Sequence, residues 1–325
     1  MNEKVALKII FLLFFIFIVS IFVGGRLLGV DPDYNNYIEL FNYKDFNNEK
    51  LYEPSFEIIR YLYFNFGNND SVWIVFLIFA FLSVCLKTVA ILLYSKQFYL
   101  SIATYISLFL FLHDYTQIRI SIGIAILFFS IHYMANNNWK KFILSIIVAI
   151  SFHFTTIIYL PLYFLYKKIS LNTFFILSLI FFFFALVLYI LNISFIDSIN
   201  EIAINMNVLS IGPVYDFNTM NMVNLSYAII AFTAFFLCRK FNWDTTGQLY
   251  IKILFTGVSL FYFFGSLGLV VLAYRLSYLF YPIIIFLIPY VFNCFKNKIL
   301  FTIIYFSYCF IILQFLIKTL ILEVN

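Results

Sequence analysis

Two arginines stand out in an otherwise apolar chain: Arg119, in HDYTQIRIS, and Arg275, in LAYRLSY. Each lies where a long hydrophobic segment begins or ends. An ionised side chain at membrane depth costs roughly 2.5–3.5 kcal/mol on insertion scales, so such residues face a partner, a cavity or an anionic ligand. The guanidinium fork also matches phosphate oxygens better than any other side chain. The chemistry this pair points to is the gripping of a lipid-linked pyrophosphate. The plainer alternative for each is an arginine that snorkels to the outer interface.

The other candidate chemistry lies in residues 24–70, where acids outnumber bases eight to four among many Tyr and Asn residues. Aromatic rings beside Asn and Asp acceptors suit a sugar, which combines apolar CH faces with hydroxyl edges. An interfacial belt of Tyr and Trp is the competing reading. Between Glu53 and Tyr63, Phe56, Ile59, Leu62 and Tyr63 recur at helical spacing, and Pro54 suits a first turn, so a short helix on the membrane surface is expected. His153 is either a satisfied core histidine or a functional one. His113 reads as interfacial, and His132 sits near the cytoplasmic end of its span. Cys85, Cys238, Cys294 and Cys309 are scattered singly in apolar segments and read as small core hydrophobes. No His, Cys, Asp or Glu set has metal-ligand spacing, and there is no P-loop, GxGxxG or GxSxG. Nothing here resembles a nucleotide-driven pump or a serine hydrolase.

The elements that must position these residues are membrane helices. Hydrophobic residues make up 64% of the 325 and charged residues 11%, and mean hydropathy is +1.01. A soluble domain carries about 25% charged residues. The net charge of +5 does not imply nucleic acid, because the bases sit between spans rather than on one face. Apolar runs fall at 5–23, 72–94, 98–112, 118–134, 142–166, 171–191, 225–237, 249–272, 276–292 and 299–320. The fold class is therefore an all-α polytopic integral membrane protein, a single membrane domain with about 10–11 transmembrane segments.

Lys4 and Lys8, then Lys96, Lys140–Lys141, Lys167–Lys168, Arg239–Lys240 and Lys296/Lys298, mark cytoplasmic ends. All fall on one side only if 142–166 enters and returns as a broken or re-entrant hairpin, interrupted near Ser151–His153. Residues 24–70 and 192–224 then become external loops, and the C-terminus is external as well. Both arginines face the side opposite the lysines.

The order of short motifs resembles a known family. Asp33-Tyr34-x-x-Tyr37 and Glu53-Pro54-x-Phe56 follow a first helix, and Gln117-Ile118-Arg119 opens a later span. Lys140-Lys141 leads to Phe152-His153-Phe154-Thr155, and Tyr274-Arg275 precedes Tyr281-Pro282. Over residues 31–289 the chain resembles the EpsG family of exopolysaccharide proteins and the related Wzy-type O-antigen and capsule polymerases. Its second external loop is shorter than that of many Wzy polymerases. The resemblance implies a glycosyltransferase of the bacterial inner membrane with an outward-facing site. It would transfer a growing glycan from one undecaprenyl-pyrophosphate carrier to the free end of a newly flipped repeat unit.

In that reading Arg119 and Arg275 bind the pyrophosphate, and Asp33, Glu53 or His153 is the general base. Tyr34, Tyr37 and Tyr52 hold sugars. Pyrophosphate is a good leaving group, so no cofactor or metal is required when cations neutralise it. Implied partners are the lipid-linked glycans, the bilayer, a chain-length regulator and a flippase of the same pathway. The alternatives are a lipid-linked oligosaccharide flippase, which would show internal repeats and a charged central cavity, and a membrane O-acyltransferase, which would carry an early His. The first span has no His.

Overall fold

The computed structural model describes residues 3–27, 31, 33–42, 53–66, 72–191 and 218–319. Tyr52 and most of the second external loop, 192–217, lie outside the described residues. All regular structure among the described residues is helical. In chain order the first helices are α1 (Glu3–Gly24), α2 (Tyr34–Asn42), α3 (Pro54–Phe66), α4 (Val72–Tyr94) and α5 (Phe98–Thr104). A π-helix (Tyr105–Thr116) continues α5, and α6 (Ile118–Ala135), α7 (Trp139–Phe152), α8 (Tyr159–Lys168) and α9 (Leu171–Ile190) follow. The last five are α10 (Met222–Phe241), α11 (Thr245–Ser266), α12 (Val270–Ser277), α13 (Ile284–Cys294) and α14 (Lys298–Ile317).

Among the described residues, seven helical segments are long and apolar enough to cross a membrane: α4, α6, α9, α10, α11, the interrupted Val270–Cys294 stretch and α14. The protein is an all-α polytopic membrane protein. Ile299, Ile303, Ile304 and Phe310 of α14 and Ile180 and Phe183 of α9 are bare, as expected where lipid supplies the apolar contact.

Helix starts follow local capping chemistry. Asn138, Ser170, Asp244 and Asn297 each accept from the backbone N–H three residues on, which satisfies an orphan donor of α7, α9, α11 and α14. Two expectations meet the structure differently. The apolar run 142–166 is broken as expected: α7 stops at His153, whose φ of −158° and ψ of 117° are extended, and a 3-10 turn (Phe154–Ile158) precedes α8. At 1.5 Å per residue, helices of 14 and 10 residues are about 21 and 15 Å long. Neither alone matches a hydrocarbon core of about 30 Å. The run 249–272, in contrast, is not one helix. α11 ends at Ser266 because Gly268 adopts φ 81° and its N–H turns back to the Gly265 carbonyl at 3.0 Å.

The chain divides into two compact units. The first contains residues 1–160 and 295–325. In it α4 packs against α1 and α6, α6 against α7, α3 against α7, and α14 against the π-helix. The second, Pro161–Cys294, is organised on α11, which meets α9, α10, α12 and α13.

Candidate functional site

The first unit brings three of the sequence candidates into direct contact, although they are far apart along the chain. Glu53 is the last residue before α3, held by Pro54 at the first helical position and by the Glu57 N–H donating to its carbonyl at 3.1 Å. Ser55 Oγ donates to the Ser151 carbonyl at 2.5 Å, which ties the start of α3 to the end of α7. Arg119 projects from the first turn of α6, and His153 occupies the break after α7. Arg119 Nη1 donates to Glu53 Oε2 at 2.6 Å, and His153 Nδ1 lies 2.9 Å from Glu53 Oε1. Each carboxylate oxygen thus has its own partner.

Close approach makes the contact possible. A Cβ on Gly123, one turn after Arg119, would stand 3.0 Å from Thr156 Cγ2 and 3.6 Å from His153 Cβ. Glycine at this place lets the broken segment lie on α6. The walls are aromatic: the Arg119 guanidinium is 4.9 Å from the centre of Phe56 and 5.8 Å from that of Tyr37.

Burial pushes the Glu53 carboxyl up, but the His153 hydrogen bond and the Arg119 charge outweigh it, and the group ends below its ordinary value. Glu53 is therefore an ionised acceptor of both contacts. An ionised carboxylate can only accept, so His153 presents Nδ1–H to it. In the neutral ring Nε2 is then the acceptor nitrogen. Among the described residues Nε2 has no partner, and the His153 side chain is 21% exposed. This is the arrangement of an oriented general base beside a cation.

A second pair, which the sequence did not single out, lies in the same unit. Arg26 Nη1 is 3.2 Å from Asp31 Oδ2, with the guanidinium between the rings of Phe76 (4.6 Å) and Tyr115 (4.9 Å). Tyr37 packs edge-on to Phe76 at 6.0 Å, so the two arginines share one aromatic wall. Burial raises the Asp31 carboxyl, and Arg26 only partly opposes it. Burial likewise lowers Arg26. The available signal was an arginine directly after Gly24-Gly25 at a helix end.

Of the remaining candidates, Tyr37 borders Arg119. Asp33 is exposed at the turn into α2, its N–H donating to Asp31 Oδ1 at 3.0 Å. Tyr34 is half-buried and stacked on Phe76 at 5.3 Å, and the Tyr37 ring is buried. Burial raises the Tyr37 hydroxyl and Arg119 draws it back in part. Arg275 belongs to the second unit, where it is exposed on α12 with no acid partner among the described residues. Around it Tyr274, Tyr278 and Tyr281 form a chain of ring contacts that reaches Tyr227. His113 is buried rather than interfacial. Among the described residues no three His, Cys, Asp or Glu side chains group as a metal site.

Residues 9–324, nearly the whole chain, match the model of the EpsG family. No curated protein and no solved structure matches the chain.

Proposed function

The chain belongs to the EpsG family, whose members are like Wzy-type polymerases, and we propose that it joins lipid-linked oligosaccharide repeat units into a surface polysaccharide. The observation that carries this reading is the Arg119–Glu53–His153 contact. The acceptor sugar hydroxyl attacks the anomeric carbon of the donor glycan, and the bond from that carbon to the diphosphate oxygen breaks. The hydroxyl proton goes to His153 Nε2, and the leaving diphosphate takes the bonding electrons. Glu53 stabilises the imidazolium that forms, as a buried carboxylate does for any oriented histidine base. Arg119 faces the charge that develops on the diphosphate.

The two events reinforce each other. Protonating His153 strengthens its bond to Glu53, which loosens the hold of that carboxylate on Arg119 as the diphosphate becomes free. The donor in this reading is a polyprenyl diphosphate, and the site faces outward from the inner membrane. Tyr34 and Tyr52 offer sugar-stacking surface, while Tyr37 acts as a wall for Arg119. The resemblance to Wzy-type polymerases further implies delivery by a flippase and control by a chain-length regulator.

The test is transfer by purified protein given a lipid-linked repeat unit, read as a ladder of chain lengths. His153→Ala should lower the rate roughly 10²–10⁴-fold, the usual contribution of a general base. A full ladder from that variant would sink the assignment. Normal ladders with altered glycan acylation would favour the acyltransferase reading instead.

A further inference from the structure

The first unit also buries an ion pair that the proposed chemistry does not use. Lys87 of α4 is 1% exposed, and its Nζ donates to Asp114 Oδ2 at 2.7 Å and to Ser121 Oγ at 2.6 Å. Asp114 Oδ1 accepts from Ser83 Oγ at 2.5 Å and Ser121 Oγ at 2.8 Å, and the two serine oxygens are 2.7 Å apart. The ring of Tyr105 is 5.5 Å from the ammonium. The side-chain polar atoms of Lys87, Asp114, Ser83 and Ser121 all have partners within the cluster, so these four are not an open ligand site.

Its place in the chain is what matters. Asp114 belongs to the π-helix and Ser121 to α6, and between them the helix breaks at Gln117 (φ −101°, ψ 61°). Across the break the backbone ties include Gln117 N–H to the His113 carbonyl at 3.0 Å and Ser121 N–H to the Gln117 carbonyl at 3.0 Å. Lys87 reaches from a third helix and holds a residue on each side of the junction. His113 Nδ1, 3.4 Å from Gln117 Oε1, adds a weaker contact. Arg119 lies two residues before Ser121 in the same turn. A slip of one residue rotates an α-helix by about 100°, enough to carry Arg119 away from Glu53. Long π-helical stretches are rare, and π-bulges are frequent at functional sites.

We infer that Lys87, with Asp114, is a positioning residue: it sets the phase of α6 and thereby holds Arg119 against Glu53. The inference rests on the proposed function only for its catalytic consequence. Lys87→Met alone would strand the Asp114 charge and destabilise the fold whatever its role. The informative variant is Lys87→Met with Asp114→Leu, since buried pairs replaced together by apolar residues commonly keep their stability.

The experiment is a mutant cycle on melting temperature, Arg119→Ala against Glu53→Ala, in the native protein and in the double variant. The native cycle should show coupling between Arg119 and Glu53, and the double variant should melt close to native with that coupling lost. Coupling that persists at native size overturns the inference. In the polymerisation assay the double variant should lose on the order of 100-fold, the cost of misplacing a reacting group by about 1 Å. Its pH profile should keep the native shape, and adding Arg119→Ala should change little more. A fully additive Arg119→Ala loss, or native activity, overturns the inference. Absence of polymerisation by the native protein would remove the proposed function alone, because the melting cycle reads positioning without it.

Discussion

Replacing Glu53 by Gln separates orientation of the base from mere packing. The carboxylate accepts two charge-assisted bonds, from Arg119 Nη1 at 2.6 Å and His153 Nδ1 at 2.9 Å. Gln keeps one carbonyl oxygen, enough for Arg119, but presents an NH₂ to the imidazole. One bond to a charged partner is lost, worth roughly 1.5–3 kcal/mol net. The consequence for rate is larger. Facing a donor, His153 turns its lone pair to Nδ1 and its proton to Nε2, where the acceptor hydroxyl needs a base. A wrong histidine tautomer of this kind lowers kcat by about 10⁴-fold in a serine protease, and a loss of order 10³–10⁴ is expected here by that analogy.

Arg119 keeps its charge in E53Q and loses a competing anion, so KM for the diphosphate donor should not rise. The assay is initial-rate transfer in lipid nanodiscs with lipid-linked repeat unit as donor and acceptor. A second readout is acid stability. Glu53 titrates below an ordinary glutamate, so its ionised form contributes fully above the unfolded-chain value of about 4.3. That contribution is lost as pH falls through the lower folded value, and E53Q should lack that acid-dependent step. Native kcat in E53Q, or a loss confined to KM, would refute the oriented-base argument.

Arg119→Ala should abolish long chains while single lipid-linked repeat units persist, and Arg119→Lys should restore activity only in part, because the fork is lost; disappearance of the single units would point to an upstream step. Gly123→Ala should be mild, since Thr156 Cγ2 at 3.0 Å can shift, whereas Gly123→Leu should separate His153 from Glu53 and reduce transfer as strongly as His153→Ala, measured in the same assay. Asp31→Asn strands a buried guanidinium and should cost on the order of 3–5 kcal/mol, whereas Arg26→Met/Asp31→Asn should melt near native. Cysteines placed at Asn138, Ser170 and Thr245 should resist impermeant labels in intact cells, and one at Asn65 should react; labelling at Ser170 would undo the hairpin orientation.

The spans were legible because a run of apolar residues has one physical outcome in lipid. The break at His153 was legible for a different reason: lysine clusters on both flanks could share a side only if the run did not cross once. Glu53, Arg119 and His153 could each be named from residue type and neighbourhood. Their meeting could not, since it depends on Ser55 reaching Ser151 and on the room Gly123 leaves. The π-helix has no mark in residues 98–112, where i→i+4 and i→i+5 bonding suit the same side chains. Lys87 did leave a signal, a lone lysine inside α4 with Asp114 in another apolar segment, and such residues seek each other. Arg26 and Asp31 were hidden among the loop charges. Arg275 matched Arg119 in pattern, but folds into the second unit.

Three ion pairs of the first unit form a series in exposure, and that order assigns their work. Side-chain exposures are 1% and 0% for Lys87–Asp114, 7% and 0% for Arg26–Asp31, and 24% and 6% for Arg119–Glu53. A cation sealed from solvent cannot exchange its partner without first becoming an uncompensated buried charge, a cost of roughly 3–5 kcal/mol. The inner two pairs are therefore locked, and their loss should appear first in insertion and melting. Arg119 is different, because part of its guanidinium already meets solvent and its aromatic walls hold the charge when the carboxylate loosens. Of the three, only there is the exchange of one anion for another cheap. On the proposed function, the fixed pairs set the helices and the exchangeable pair is the one left to meet the diphosphate.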